Sequence, residues 1–150
     1  MLEQLVGDRI HPSLEATTKR EVLLELAGQV HAEYPSLATE TIYQALQERE
    51  TLGSTGIGDG IALPHGKLKT LDQLLISFGR SRRGVQFEAV DGKPVHLFFL
   101  LLAPQHSARE YLNTLAHLSR FLKNPSVQTR LLNAETKEEL REIFRDAAWD

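Results

Sequence analysis

The 150-residue chain predicts an α/β fold, a single domain in which helices cover both faces of a central sheet. Three observations carry that reading. The run from Val95 to Leu102, Val-His-Leu-Phe-Phe-Leu-Leu-Leu, is apolar on both faces after His96, as befits a strand covered on two sides. Helix-start signals recur ahead of amphipathic segments: Thr18-x-x-Glu21, Ser107-x-x-Glu110, Asn124-Pro125 and Thr136-x-x-Glu139. Shorter strand-like runs lie between the first helices and the apolar run. The length suits one full core, and 41% hydrophobic with 25% charged residues is ordinary for a globular domain.

Taken in order, Thr18-x-x-Glu21 caps a helix whose buried face is Val22, Leu23, Leu26, Ala27 and Val30 and which ends before Pro35. A second helix is expected from about Leu37 to Glu48 or Arg49, burying Ile42, Ala45 and Leu46, with Gly53 stopping any continuation. Residues 61–63, 74–78, 85–87 and 95–102 read as strands, and Asp91-Gly92 as a hairpin turn between the last two. A third helix follows Ser107, with Leu112, Leu115, Leu118 and Leu122 on one stripe. A fourth starts at Asn124-Pro125. The fifth, after Thr136, turns Leu140, Ile143 and Phe144 inward. No linker, repeat or low-complexity stretch divides residues 1–150, so one domain is expected.

Charge and composition exclude several functions. A net charge of −3 without a long basic run argues against nucleic-acid binding. Zero cysteines exclude disulfide and thiolate chemistry and fit a reducing cytoplasm. Glu3 and Asp8 are out of place in a signal peptide, and the apolar run 97–104 is too short to span a bilayer. A cytoplasmic protein without direct membrane insertion is expected.

The chemistry concentrates in residues 53–67, Gly-Ser-Thr-Gly-Ile-Gly-Asp-Gly-Ile-Ala-Leu-Pro-His-Gly-Lys, where five glycines surround His65. Glycine permits close backbone approach, so amides and hydroxyls of such a loop, here those of Ser54, Thr55 and Gly56, can surround an anion. Pro64 stiffens the approach to His65. A neutral imidazole is a good phosphoryl acceptor, and a guanidinium steadies the transferred charge. Arg49 supplies one: three residues after Leu46 and four after Ala45, it shares their inward helix face. The ordinary alternatives are a turn histidine and a cation compensating a helix dipole. Nucleotide-binding patterns fail. Five residues, not four, separate Gly60 from Gly66-Lys67, Leu68 stands where Ser or Thr is required, and Gly56-x-Gly58-x-Gly60 is not the dinucleotide fingerprint. No metal-ligand spacing appears among His11, His31, His96, His106 and His117, so no metal or cofactor is expected.

The run Arg49–Lys67 resembles the active-site signature of the enzyme IIA components of the bacterial phosphoenolpyruvate-dependent phosphotransferase system, of the fructose/mannitol group with its nitrogen-regulatory relatives. The resemblance spans nearly the whole chain, with weaker echoes in Asp91-Gly-Lys-Pro-Val95 and the helix after Pro104. It implies a mixed sheet sandwiched by helices and a phosphocarrier whose His65 is transiently phosphorylated. It also implies reaction at Nε2, with Nδ1 held by a backbone carbonyl and Arg49 beside the phosphoryl group. The donor would be a histidine phosphocarrier protein, and the acceptor a IIB domain or regulatory proteins. One domain without a membrane segment favours the nitrogen-regulatory subtype. The alternatives are a sugar-specific IIA of a fructose/mannitol transporter and a non-catalytic docking domain. A hydrolase using His65 as base lacks a nucleophile, because Gly79-x-Ser81-x-x-Gly84 has the wrong spacing for a nucleophile elbow. His96, where the family often has a polar residue, would lie near the site. Tyr111 departs from the family, which has a second histidine there. Its hydroxyl could face the anion from a helix start, or its ring could be core packing beside Leu115.

Overall fold

The computed structural model describes residues 1–147. At its centre is strand β6 (Val95–Pro104), part of a six-stranded mixed sheet. The antiparallel β5 (Leu75–Val85) lies on one side, followed by the parallel β1 (Ile10–His11). On the other side β3 (Ile61–Ala62) and β4 (His65–Leu68) both run parallel to β6, one after the other, and β2 (Gly56–Gly58) pairs antiparallel with β3.

The side chains of β6 alternate between two cores. Leu97, Phe99, Leu101 and Ala103 meet α1 (Leu2–Val6), α4 (Ala108–Lys123), α5 (Pro125–Asn133) and α6 (Lys137–Arg145). Phe98, Leu100 and Leu102 meet α2 (Lys19–Glu33) and α3 (Thr39–Glu50). In the first core the rings of Phe78, Phe99 and Phe144 pack together with centroids 4.9–5.8 Å apart. The mixed sheet between helical layers is therefore as expected.

Three of the four helix starts form as read. Thr18 Oγ1 accepts from Glu21 N while Glu21 accepts from Thr18 N, closing the capping box of α2. Asn124 caps Ser126 N ahead of Pro125, and Thr136 accepts from Glu139 N. At α4 Ser107 makes no side-chain cap bond. Leu112 is 63% exposed, so the inward face of that helix is Tyr111, Thr114, Leu118 and Leu122, with Leu115 half-buried. The second helix starts later than Leu37, which instead sits buried in a turn donating to Tyr34 O. Ala45 is only half-buried.

The strand pattern differs more. Residues 74–78 and 85–87 are not two strands. One strand, β5, runs through Gly79 and Arg80 to Val85, and Phe87 lies beyond it in the core. Gly79 is where Leu14 and Leu26 press on the sheet, since a Cβ there would come within 2.9–3.0 Å of them. Asp91-Gly92 is a turn, with Gly92 at φ 72, but it lies inside the longer 86–94 connection. Helix α1 and strands β1, β2 and β4 fall outside the elements expected from sequence, each being too short to show a period.

Arg80 explains how a charge sits in the middle of β5. It is 1% exposed, and its guanidinium donates to Pro12 O (3.0 Å) and to Leu131 O and Ala134 O (2.8 and 2.6 Å), carbonyls at the end of α5. Arg80→Leu would leave those acceptors without a donor and should lower the unfolding free energy by about 2–4 kcal/mol. Arg80→Lys should recover only part of the loss, since one ammonium cannot span both groups of acceptors. Urea unfolding of the three proteins checks this, and an unchanged midpoint in Arg80→Leu would refute it.

Candidate active site

Three elements converge on His65. Its own strand, β4, begins at the break between β3 and β4, where Leu63 and Pro64 leave the ladder and Leu101 N donates to Pro64 O. Proline has no N–H, so strand pairing is interrupted just before the histidine. Helix α3 crosses β4 closely because residue 66 is glycine: a Cβ there would meet Ala45 Cβ at 3.2 Å. One turn beyond Ala45 on the same face is Arg49, brought to His65 by that contact. Helix α4 supplies Tyr111 at the end of its first turn.

The imidazole is held at both nitrogens. Nδ1 lies 2.8 Å from Leu63 O, and Arg49 Nε donates to Nε2 at 3.0 Å. A carbonyl only accepts and a guanidinium only donates, so the proton is on Nδ1 and the Nε2 lone pair faces Arg49. Arg49 also donates from Nη1 to Gly53 O at 2.9 Å, which fixes the plane of the guanidinium. Burial pushes the His65 pKa below 6.5; the Leu63 carbonyl raises it, Arg49 lowers it further and Glu50 raises it. The ring is neutral at pH 7, and its Nε2 lone pair, which accepts from Arg49, is the nucleophilic one.

Tyr111 stands edge-on to His65 with centroids 5.6 Å apart. Lys67 Nζ lies 5.2 Å from the centroid of the Tyr111 ring, a cation–π contact that adds a second positive charge to the site. Burial pushes the Tyr111 pKa up to about 12, although Arg49 pulls it down, so the hydroxyl keeps its proton. The ring is 8% exposed and belongs to the first core, so core packing and placement beside His65 are both features of this residue.

The loop residues have other commitments. Ser54 Oγ donates to Phe87 O and accepts from Gly56 N, each at 3.0 Å. Thr55 N and Thr55 Oγ1 both donate to the Glu50 carboxylate. A Cβ on Gly56 would come within 2.8 Å of Ala89 Cβ, so glycine is needed there for packing. His96 is not part of the site. Its Nδ1 bonds Ser81 O, and His65 pairs with Leu101, five residues further along β6, or about 16 Å. The residues missed from sequence are Glu50, Lys67 as a neighbour of Tyr111, and Leu63 through its carbonyl. Glu50 adjoins Arg49 at the helix end; it follows Leu46 by four residues and Ile42 by eight, so its spacing put it on the buried stripe.

Among the described residues no cluster of His, Cys, Asp or Glu could hold a metal ion, and no helix is long and apolar enough to cross a membrane. A cleft of about 760 Å³ is bounded by Arg9, Glu33, Tyr34 and Asp72 and includes none of His65, Arg49 and Tyr111. His65 therefore lies outside this cleft.

Comparison with known proteins shows what this chain is similar to. Residues 3–147 match the family described as "Phosphoenolpyruvate-dependent sugar phosphotransferase system, EIIA 2". A nitrogen regulatory protein of Pseudomonas aeruginosa is 38% identical over 146 residues, covering 97% of this chain and 95% of that protein. The fructose-specific EIIABC component of Bacillus subtilis is 33% identical over 95% of this chain and 22% of its own length. The crystal structure of the nitrogen regulatory protein IIA-Ntr from Neisseria meningitidis superposes with a TM-score of 0.89 at 33% identity, covering 95% of this chain and 98% of that one.

The lowered pKa gives a pH test. His65 and His11 both titrate below 6.5 in the fold, chiefly through burial. Just below pH 6.5 the unfolded chain therefore binds more protons than the folded one, so stability rises with pH through that window and is lost as pH falls. The ¹⁵N titration of His65 should have its midpoint below 6.5, and Arg49→Ala should move it upward by removing a positive neighbour. A midpoint unchanged by that substitution would contradict the contact.

Proposed function

We propose that this chain, which belongs to the EIIA 2 family of the phosphoenolpyruvate-dependent sugar phosphotransferase system, is a cytoplasmic phosphocarrier of the nitrogen-regulatory kind, phosphorylated on His65 Nε2. One observation carries the reading: the Nδ1 proton is tied to Leu63 O, and the Nε2 lone pair is aimed at a guanidinium.

The donor is a histidine phosphocarrier protein, which the exposed rim of the site can admit. Leu52 beside Arg49 and Leu112 beside Tyr111 are 82% and 63% exposed. In the transfer the P–N bond of the donor breaks and its electron pair returns to the donor nitrogen. The Nε2 lone pair of His65 forms the new P–N bond, and Nδ1 keeps its proton against Leu63 O. Arg49 shifts its donors from Nε2 to the phosphoryl oxygens, and the protonated Tyr111 hydroxyl donates beside it. Ser54, Thr55 and Gly56 shape the loop around the phosphoryl group. The acceptors are regulatory proteins, a reading supported by the P. aeruginosa and N. meningitidis relatives. A second reading, a sugar-specific IIA passing the phosphoryl group to a IIB domain, is supported by the B. subtilis fructose-specific relative.

With phosphoenolpyruvate, enzyme I and a histidine phosphocarrier protein, one acid-labile phosphate per chain should appear. His65→Ala should abolish it without unfolding the protein, and label persisting in that variant would refute the assignment. Arg49→Ala should slow labelling by roughly 10²–10³-fold. A dipole role alone would leave the rate unchanged.

Tyr111→Phe should keep the fold and shorten the phosphohistidine lifetime by roughly 10- to 150-fold, the value of one lost hydrogen bond to a charged group. A wild-type lifetime in that variant would reduce Tyr111 to core packing.

A further inference from the structure

Outside the groups that touch His65, one buried ionic cluster is unused by the chemistry above. Glu50, next to Arg49 in the last turn of α3, has a side chain only 3% exposed. Both carboxylate oxygens are engaged. One accepts from Thr55 N at 3.0 Å and pairs with Lys19 Nζ at 3.0 Å, and the other accepts from Thr55 Oγ1 in a short bond. Lys19, at the first position of α2, also lies 4.7 Å from the centroid of Phe87. One carboxylate thus joins α2, α3 and the glycine-rich loop. A buried ion pair contributes little net stability, because desolvation offsets the attraction, and its best-attested use is to enforce one arrangement.

The arrangement it enforces is visible in the loop. Gly53 N donates to Glu50 O at 3.0 Å, and Thr55 is held by the Glu50 side chain. Gly53 O lies between these two fastenings, and it is the acceptor that orients Arg49 Nη1. Gly53 itself has φ 135, and a Cβ at that position would meet nothing within 4 Å, so packing does not hold it.

We propose that Glu50 is a positioning residue for phosphoryl uptake: its carboxylate pins Thr55, two residues after Gly53, and so holds the carbonyl that aims Arg49 at His65 Nε2. The inference rests on the phosphocarrier reading, and it places the effect of Glu50 on the geometry of Arg49.

Glu50→Gln keeps the shape and removes the charge that holds Thr55 and Lys19. At saturating phosphocarrier donor its single-turnover labelling rate should fall by about 10-fold to 10²-fold, with the apparent KM for the donor unchanged, because a misdirected group near the reacting centre costs rate. In the Arg49→Ala background the same substitution should cause no further loss, since a residue acting through Arg49 has nothing left to position. A purely structural role predicts equal losses in both backgrounds, and that result, or a wild-type rate in Glu50→Gln, would overturn the proposal. Should Glu50→Gln fail to fold, Thr55→Val, which leaves the Glu50–Lys19 pair in place, decides by the same comparison. A readout without donor separates this idea from the phosphocarrier reading. Glu50→Gln should weaken the Arg49 Nε–H···Nε2 bond seen in the ¹⁵N spectrum of His65. Loss of that bond in a protein that takes no label would sink the phosphocarrier reading and leave the positioning role standing. An intact bond would sink the positioning role.

Discussion

Strand β6 must be covered on both faces, and nearly every other placement follows from that constraint. Seven consecutive residues, Leu97 to Ala103, are apolar and buried on alternating sides, so this stretch of the sheet cannot face water on either face. Two helical layers are the consequence. A one-residue slip of a neighbour against β6 would exchange the two cores, so the registers of β3, β4 and β5 are strongly specified. Because β4 is locked to Leu101 through Pro104, His65 is held at a defined height on the sheet, directly after the break that Pro64 makes.

The site depends on this rigidity. Gly66 admits α3 against β4, and that single close approach delivers Arg49 to Nε2. The Leu63 carbonyl, freed from the ladder at the same break, selects the tautomer. Thus the irregularity that ends β3 both presents the histidine and prepares its protonation state. Tyr111 adds a protonated hydroxyl and an aromatic edge beside His65, with Lys67 across its ring. Burial, with Arg49 as a lesser contributor, keeps the imidazole neutral.

Residue type and short-range spacing by themselves determined the α/β class, the double-sided strand, helices α2 to α6 and the glycine-rich run around His65. These are local or periodic signals: a capping box, a proline at a helix start, an unbroken apolar run, a glycine-rich segment. Relations between distant segments were decided only by tertiary structure. The strand read over 74–78 runs on through Arg80, because the end of α5 arrives to accept its donors. Gly56 reads as conformational freedom until Ala89 shows that a side chain has no room. Thr55 reads as a free hydroxyl until Glu50 and Lys19 close around it. His96 reads as a neighbour of the site until the register sets it five residues away. The physical reason is the same in each case: a polar group or a glycine is defined by what packs against it, and packing partners far apart in the chain leave no mark on local periodicity.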